Sequence, residues 1–101
     1  MTRVVVASIA DDDTAEILSY LAVQAGPRIA VRYARMFEGL YERLAIYPDS
    51  GPARPALGPN VRIGIVLPYI VIYEHHPGEG LVTILRIVHG SRKIAGTMLT
   101  D

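Results

Sequence analysis

The sequence contains no cysteine. That excludes disulfides and thiolate metal sites, and it fits a protein of the cytoplasm, where thiols are kept reduced. Neither sign of charge is in excess, since ten Lys and Arg are balanced by ten Asp and Glu. Proteins that grip a phosphate backbone gain affinity by counterion release from a basic surplus. Tight non-specific binding to nucleic acid is therefore disfavoured, although local basic patches are allowed. No apolar run approaches the roughly 18 residues needed to span a bilayer, so no membrane association is expected. The opening stretch MTRVVVASIADDD breaks into three aspartates after a short apolar run, which does not read as a signal peptide. Internal repeats and low-complexity tails are also lacking.

What is present is apolar. Half of the 101 residues are hydrophobic and the mean hydropathy is +0.28. A chain of this length is expected to form one domain over residues 1–101, with one core and two layers. It carries more apolar surface than such a domain needs alone, and a protein partner is the natural explanation.

Thr2 to Ala7 is a short β-branched run that predicts a first strand. Ser8 stands three residues before Asp11, an arrangement that suggests a helix cap, with Asp12 and Asp13 adding to the favourable charge of the first turn. A helix from about Ile9 to Ala25 should follow, with Thr14, Ile17, Tyr20 and Leu21 on one stripe. Gly26-Pro27 stops it, and Pro27 is well placed to begin the next helix. From Arg28 to about Ile46 the residues Ala30, Tyr33, Phe37, Leu40, Tyr41 and Leu44 share a face. Arg28, Arg32 and Arg35 fall elsewhere, as a solvated face or a binding stripe. The short break makes the helices an antiparallel hairpin. Pro48 to Asn60 holds four Pro and two Gly among thirteen residues and reads as a loop long enough to cross from one face of the domain to the other.

The stretch from Val61 to Ile94 organises the rest. Three runs rich in Val, Ile, Leu and Tyr are cut by Leu67-Pro68 and by the loop from His75 to Gly80, the pattern of antiparallel strands joined by hairpins. Alternation puts Val61, Ile63, Ile65 and Leu67 on one face, with Arg62, Gly64 and Val66 on the other. On the last run Leu81, Thr83, Leu85, Ile87 and His89 share one side, and Val82, Ile84, Arg86 and Val88 the other. Two helices cover only one face of such a sheet, so the second face is expected to be apolar, to carry a few charges, and to be open to a partner.

The order strand, helix, helix, strand, strand, strand, with Tyr20, Pro48, Gly51, Arg62, Pro68-Tyr69, Tyr73 and the terminal ILRIVHGSRKI, resembles the ParE branch of the RelE/ParE toxins. The most specific piece is Ile84 to Arg92, similar to that branch's final strand: an Arg, two apolar residues, then His-Gly-x-Arg. The resemblance spans about Thr2 to Ile94. It implies an α+β fold with a helical hairpin packed on a small, mainly antiparallel sheet. It also implies a type II toxin, neutralised by a ParD-type antitoxin in a hetero-oligomer, that stabilises the cleaved complex of DNA gyrase. No cofactor and no catalytic centre are implied, and no sequence-specific nucleic-acid binding by the toxin alone.

The RelE branch instead cleaves mRNA in the ribosome, which needs an acid, a base and cations around the scissile phosphate. Here Arg62, Arg86 and His89 are the candidates for that chemistry. However, the loop before Arg62 lacks the lysines of RelE, and no Tyr follows His89. Arg86 and His89 also point to opposite faces of an undisturbed strand, so they converge only across a bulge or twist. A third alternative is an inactivated toxin retained as a corepressor with its antitoxin. In the ParE reading the residues expected to contact partner or target are Arg62, Tyr73, Arg86, His89, Arg92 and Lys93. Arg86 reads either as the polar centre of a partner surface or as a structural Arg paired with an acid such as Glu74. His89 reads either as a contact or as a strand-ending residue that bonds backbone beside Gly90. Tyr69 and Tyr73 share a side suited to packing. His75-His76 is a poor metal pair, because strand neighbours face opposite ways. Two departures from the family stand out: Leu67-Pro68 replaces a Gly with a basic residue, and the tail after Ile94 is short with little charge.

Overall fold

The structure, a computed structural model, describes residues 1–91. The β-branched run Arg3–Val6 forms β1 and is followed by α1, Ser8–Ala25. Ser8 is the first helical residue and not the cap. Ala7, in extended conformation, takes the capping position, and no side chain caps the helix. Gly26, at φ +99°, makes the reversal that a residue with a Cβ resists. Pro27 then opens α2, Pro27–Ile46, where its missing N–H costs nothing. Strands β2 (Val61–Val66), β3 (Tyr69–His76) and β4 (Leu81–His89) complete the set. The β2–β3 hairpin turns at Leu67-Pro68, whose peptide bond is cis.

The four strands are ordered β1-β4-β3-β2. β1 lies parallel to β4, while β3 is antiparallel to both β4 and β2. The architecture is thus the expected α+β one, a helical hairpin on one face of a mainly antiparallel sheet. Phe37, Leu40 and Leu44 of α2 and Ala10 of α1 meet Val66, Tyr69, Val71, Tyr73, Val82, Ile84 and Ile87 of the sheet. Each large side chain fully buried there contributes about 1.5–3 kcal/mol. Gly64 lets α2 approach closely, since a Cβ there would sit 2.8 Å from Leu40 Cδ2. Tyr20 leaves the expected stripe and is 62% exposed.

The second face of the sheet is not bare. Val61, Ile63, Ile72 and Val88 form a second buried cluster, packed by Leu57, Ile70 and Leu85. Leu57 arrives from the connecting loop, which crosses over as its length suggested. Exposed apolar side chains lie instead mostly on the helices, at Tyr20, Val23, Val31, Met36 and Ile46, and at Ile65 and Leu67 around the β2–β3 turn.

A β-bulge resets β4. Tyr73 pairs with Ile84 and Ile72 with Arg86, leaving Leu85 without a partner. The simple alternation therefore fails beyond Ile84: Ile87 joins Val82 and Ile84 in the helix-side core, while Leu85 and Val88 join the far cluster. Asp13 of α1 occupies the gap. Its carboxylate accepts from Arg86 Nε at 2.8 Å, from Arg86 Nη2 at 3.0 Å and from the Ile87 amide at 3.0 Å. Asp13 is therefore no surface complement to the helix dipole, and the acid that pairs with Arg86 is Asp13, not Glu74, which binds His76.

Tyr41 carries the one buried side-chain polar atom without a partner among the described residues, its hydroxyl. Burial first, and the nearby Asp11 charge second, push its phenol up to about 12.

Two outcomes are expected. Asp13→Ala removes the carboxylate from a pair whose side chains are only 13% and 11% exposed, which should cost about 3–5 kcal/mol in urea unfolding; exposed Asp12→Ala should stay within about 0.5 kcal/mol. A phenol held neutral more firmly in the folded state contributes stability that is complete below its unfolded pKa. Unfolding midpoints should therefore fall as pH rises from 10 to about 12, and the fall should be shallower in Tyr41→Phe.

Candidate functional site

The sequence-level candidates separate into three places on the helix side of the sheet. At one end the loop after α2 is bound down to β2 and β3. Arg62 and Tyr73 are cross-strand partners, so both project toward the loop. Arg62 Nε meets Asp49 Oδ1 at 3.2 Å, and its Nη1 donates to the carbonyls of Asp49 and Gly51 at 3.2 and 2.8 Å. The Tyr73 hydroxyl donates to Pro48 O at 2.9 Å and accepts from the Gly51 amide at 3.1 Å. Gly51 has no room for a side chain, because a Cβ would overlap the carbonyl oxygen of Ile63. Beyond it, Pro52 and Arg54 bond Ile63 and Val61 of the β2 edge, covering part of an edge that would otherwise offer free backbone groups.

Tyr73 is completely buried. It cannot touch a partner and leaves the contact set. Its phenol is raised by burial, an effect partly offset by the Gly51 N–H and the Arg62 charge. His75, two residues on, points the same way. It is 9% exposed, and its Nδ1 lies 2.7 Å from Asp49 Oδ1. Sequence reasoning weighed His75 only as a metal ligand and passed over Asp49. The signal was the shared side of Tyr73, His75 and Arg62, facing a loop with a single carboxylate.

The middle position is Arg86, held by Asp13 as described. The other end holds His89. There Glu16, Ile17, Tyr20 and Leu21 of α1, Tyr33 of α2, and Pro68, Tyr69 and His89 line a groove of about 500 Å³. Tyr69 packs edge-on against Tyr33 at 5.7 Å and against His89 at 5.8 Å between ring centres. Tyr33 donates its hydroxyl proton to Leu67 O at 3.0 Å. Burial, then the neighbouring Tyr33 and Tyr20, raise the Tyr69 phenol. His89 Nδ1 accepts from the Ser91 amide at 3.1 Å. That fixes the proton of the neutral ring on Nε2, and it matches the backbone-bonding role expected beside Gly90. The bulge brings His89 round to the helix side, the side to which Arg86 also reaches.

Convergence ends there. His89 stands about 10 Å along the strand from Arg86. Arg62 lies on β2, two strands from β4, opposite Tyr73 in the middle of β3, whereas His89 lies opposite Tyr69 at the start of β3. Arg92 and Lys93 lie outside the described residues. Arg28, Arg32 and Arg35 line a separate groove on the outer face of α2 with Val31 and Met36. Among the described residues, no group of three or more His, Cys, Asp or Glu side chains could hold a metal ion, and no helix is long and apolar enough to cross a membrane.

Comparison with known proteins gives consistent matches. A family model, the ParE toxin of the parDE type II toxin–antitoxin system, matches residues 4–94. Among solved structures, the chromosomal ParDE toxin–antitoxin system of P. aeruginosa aligns at TM-score 0.73 and 23% identity, covering 88% of this chain and 96% of that one. The RelBE2 toxin–antitoxin complex of Mycobacterium tuberculosis aligns at TM-score 0.61 and 22% identity, covering 87% and 90%. Both likenesses are of fold. No curated protein matches the chain.

Replacing Tyr73 by Phe leaves the buried Gly51 amide without its acceptor, which should cost about 1–3 kcal/mol. Protease cleavage within residues 48–60 should accelerate in this variant, a change readable by limited proteolysis.

Proposed function

Because this chain belongs to the ParE toxin family of type II toxin–antitoxin systems, we propose that it inhibits DNA gyrase by binding it and stabilising the cleaved complex, and that a ParD-type antitoxin neutralises it. The site of action is the cytoplasm. The observation that carries the non-enzymatic part of this reading is the dispersal of Arg62, Arg86 and His89. An RNA-cleaving site must gather an acid, a base and cations around one phosphate. Here Arg86 is bound to the Asp13 carboxylate, Arg62 is bound to the Asp49 carboxylate and to loop carbonyls, and His89 stands apart from them. A binder needs no such convergence.

The groove beside His89 supports a protein partner. Tyr20 is exposed, His89 and Glu16 stand at the surface, and Ile17, Leu21 and Tyr33 form a half-buried floor. Aromatic side chains with polar tips are the residue types that anchor protein interfaces. His89, with Arg92 and Lys93 just beyond, belongs to the proposed contact surface. Arg86 supports it by holding the bulged strand, while Arg62 holds the loop at the opposite end.

The test is plasmid supercoiling by purified gyrase with ATP. Supercoiling should be lost and cleaved DNA should accumulate, and the cognate antitoxin should reverse both. Unaffected supercoiling from demonstrably folded protein would sink the reading. His89→Ala should weaken inhibition only severalfold, whereas loss by orders of magnitude, together with mRNA cuts in a translating extract, would point to nuclease chemistry.

A further inference from the structure

The corner where Asp49, Arg62 and His75 meet holds more donor capacity than the loop consumes. Asp49, Asn60, Arg62 and His75, with Ala53, Pro59, Val61 and Pro77, line a cavity of about 220 Å³. Asp49 Oδ1 takes the Nδ1–H of His75 and forms an ion pair with Arg62 Nε at 3.2 Å. A carboxylate only accepts, so in the neutral imidazole the proton sits on Nδ1 and Nε2 is bare. Nε2 has no hydrogen-bond partner among the described residues and keeps contact with solvent, while the rest of the side chain is nine-tenths buried. Among the described residues the Nη2 group of Arg62 is likewise unspent, since that residue's contacts run through Nε and Nη1.

We propose that this corner is an oxyanion site sized for a phosphoryl or sulfate group, with Arg62 Nη2, the Asn60 amide and His75 Nε2 as donors. The charges decide when it is competent. Asp49 and Arg62 cancel, so the second imidazole proton takes the corner from neutral to positive and makes Nε2 a donor. Among the described residues no other charged side chain lines the cavity, and β4 presents Val82 opposite His75. Anion and proton therefore bind together, with the Asp49 carboxylate holding the ring by its other nitrogen. Arg62 is already held in its fork geometry by two loop carbonyls and so approaches the anion with little ordering still to lose. The site is independent of the gyrase reading.

The experiment is an NMR titration of the ¹⁵N-labelled chain, following the imidazole and guanidinium nitrogens at constant ionic strength. Sulfate, whose charge is constant near neutrality, should shift His75 and Arg62 saturably, and more tightly as the pH is lowered. Inorganic phosphate and a 5′-phosphorylated thymidine dinucleotide separate the sources. Saturation by phosphate alone marks a free-anion site, and saturation by both marks one open to phosphate esters. His75→Phe should abolish saturation with the amide spectrum still dispersed. Should that variant fail to fold, Arg62→Lys, which keeps the charge but loses the fork, should weaken binding severalfold. Linear drift at His75, saturation confined to Arg28, Arg32 and Arg35, or unchanged binding in either variant would overturn the proposal.

Discussion

One carboxylate ties the two layers together. Asp13 sits two turns into the first helix and answers both the guanidinium of Arg86 and the Ile87 amide, which the bulge in β4 turns out of the strand ladder. A buried ion pair is a poor source of net stability, because both charges must leave water. Its effect here is to fix register. With α1 pinned at Asp13, the next turns bring Glu16, Ile17 and Tyr20 above His89, and the bulge turns His89 toward them. The aromatic groove is thus the geometric product of one misfit in a strand and one acid that accommodates it.

The loop of residues 48–60 does the corresponding job at the opposite end. It is attached through backbone groups: carbonyls of Pro48, Asp49 and Gly51 accept from Tyr73 and Arg62, and Gly51 lies too close to β2 for any side chain. It then covers part of the β2 edge and delivers Leu57 to the far cluster. The sheet is consequently packed on both faces although the helices cover only one. This places the surplus of apolar residues differently from a two-layer estimate, with the exposed share mostly on the helices.

Much of this was legible in the sequence. Element order, the helical hairpin broken at Gly26-Pro27, the crossing loop and the three antiparallel strands follow from periodicity and from Gly and Pro placement. The bulge did not, because nothing in ILRIV announces that Leu85 goes unpaired; the faces of Ile87, Val88 and His89 were therefore inverted. Asp13 was hidden among three consecutive aspartates of identical local chemistry, and only the sheet beneath distinguishes the buried one. Tyr73, one of the residues that carry the resemblance, anchors the loop. Asp49 and His75 were missed because they lie 26 residues apart and meet only when the loop folds back.

The position of β4 has a consequence in time. It lies inside the sheet, between β1 and β3, yet it is the last of the described strands in the chain. Among the described strands β1 has no other neighbour, so Arg3 waits for Leu81, and Asp13 waits for Arg86. Contacts this distant in sequence form late and slow the search for the native state. A ribosome making this chain from its N-terminus therefore exposes the helical hairpin, apolar side uncovered, before the strand that closes it exists. The groove beside His89 is complete only when that strand is in place. Synthesis itself imposes a delay between the first translated residue and a surface able to engage anything.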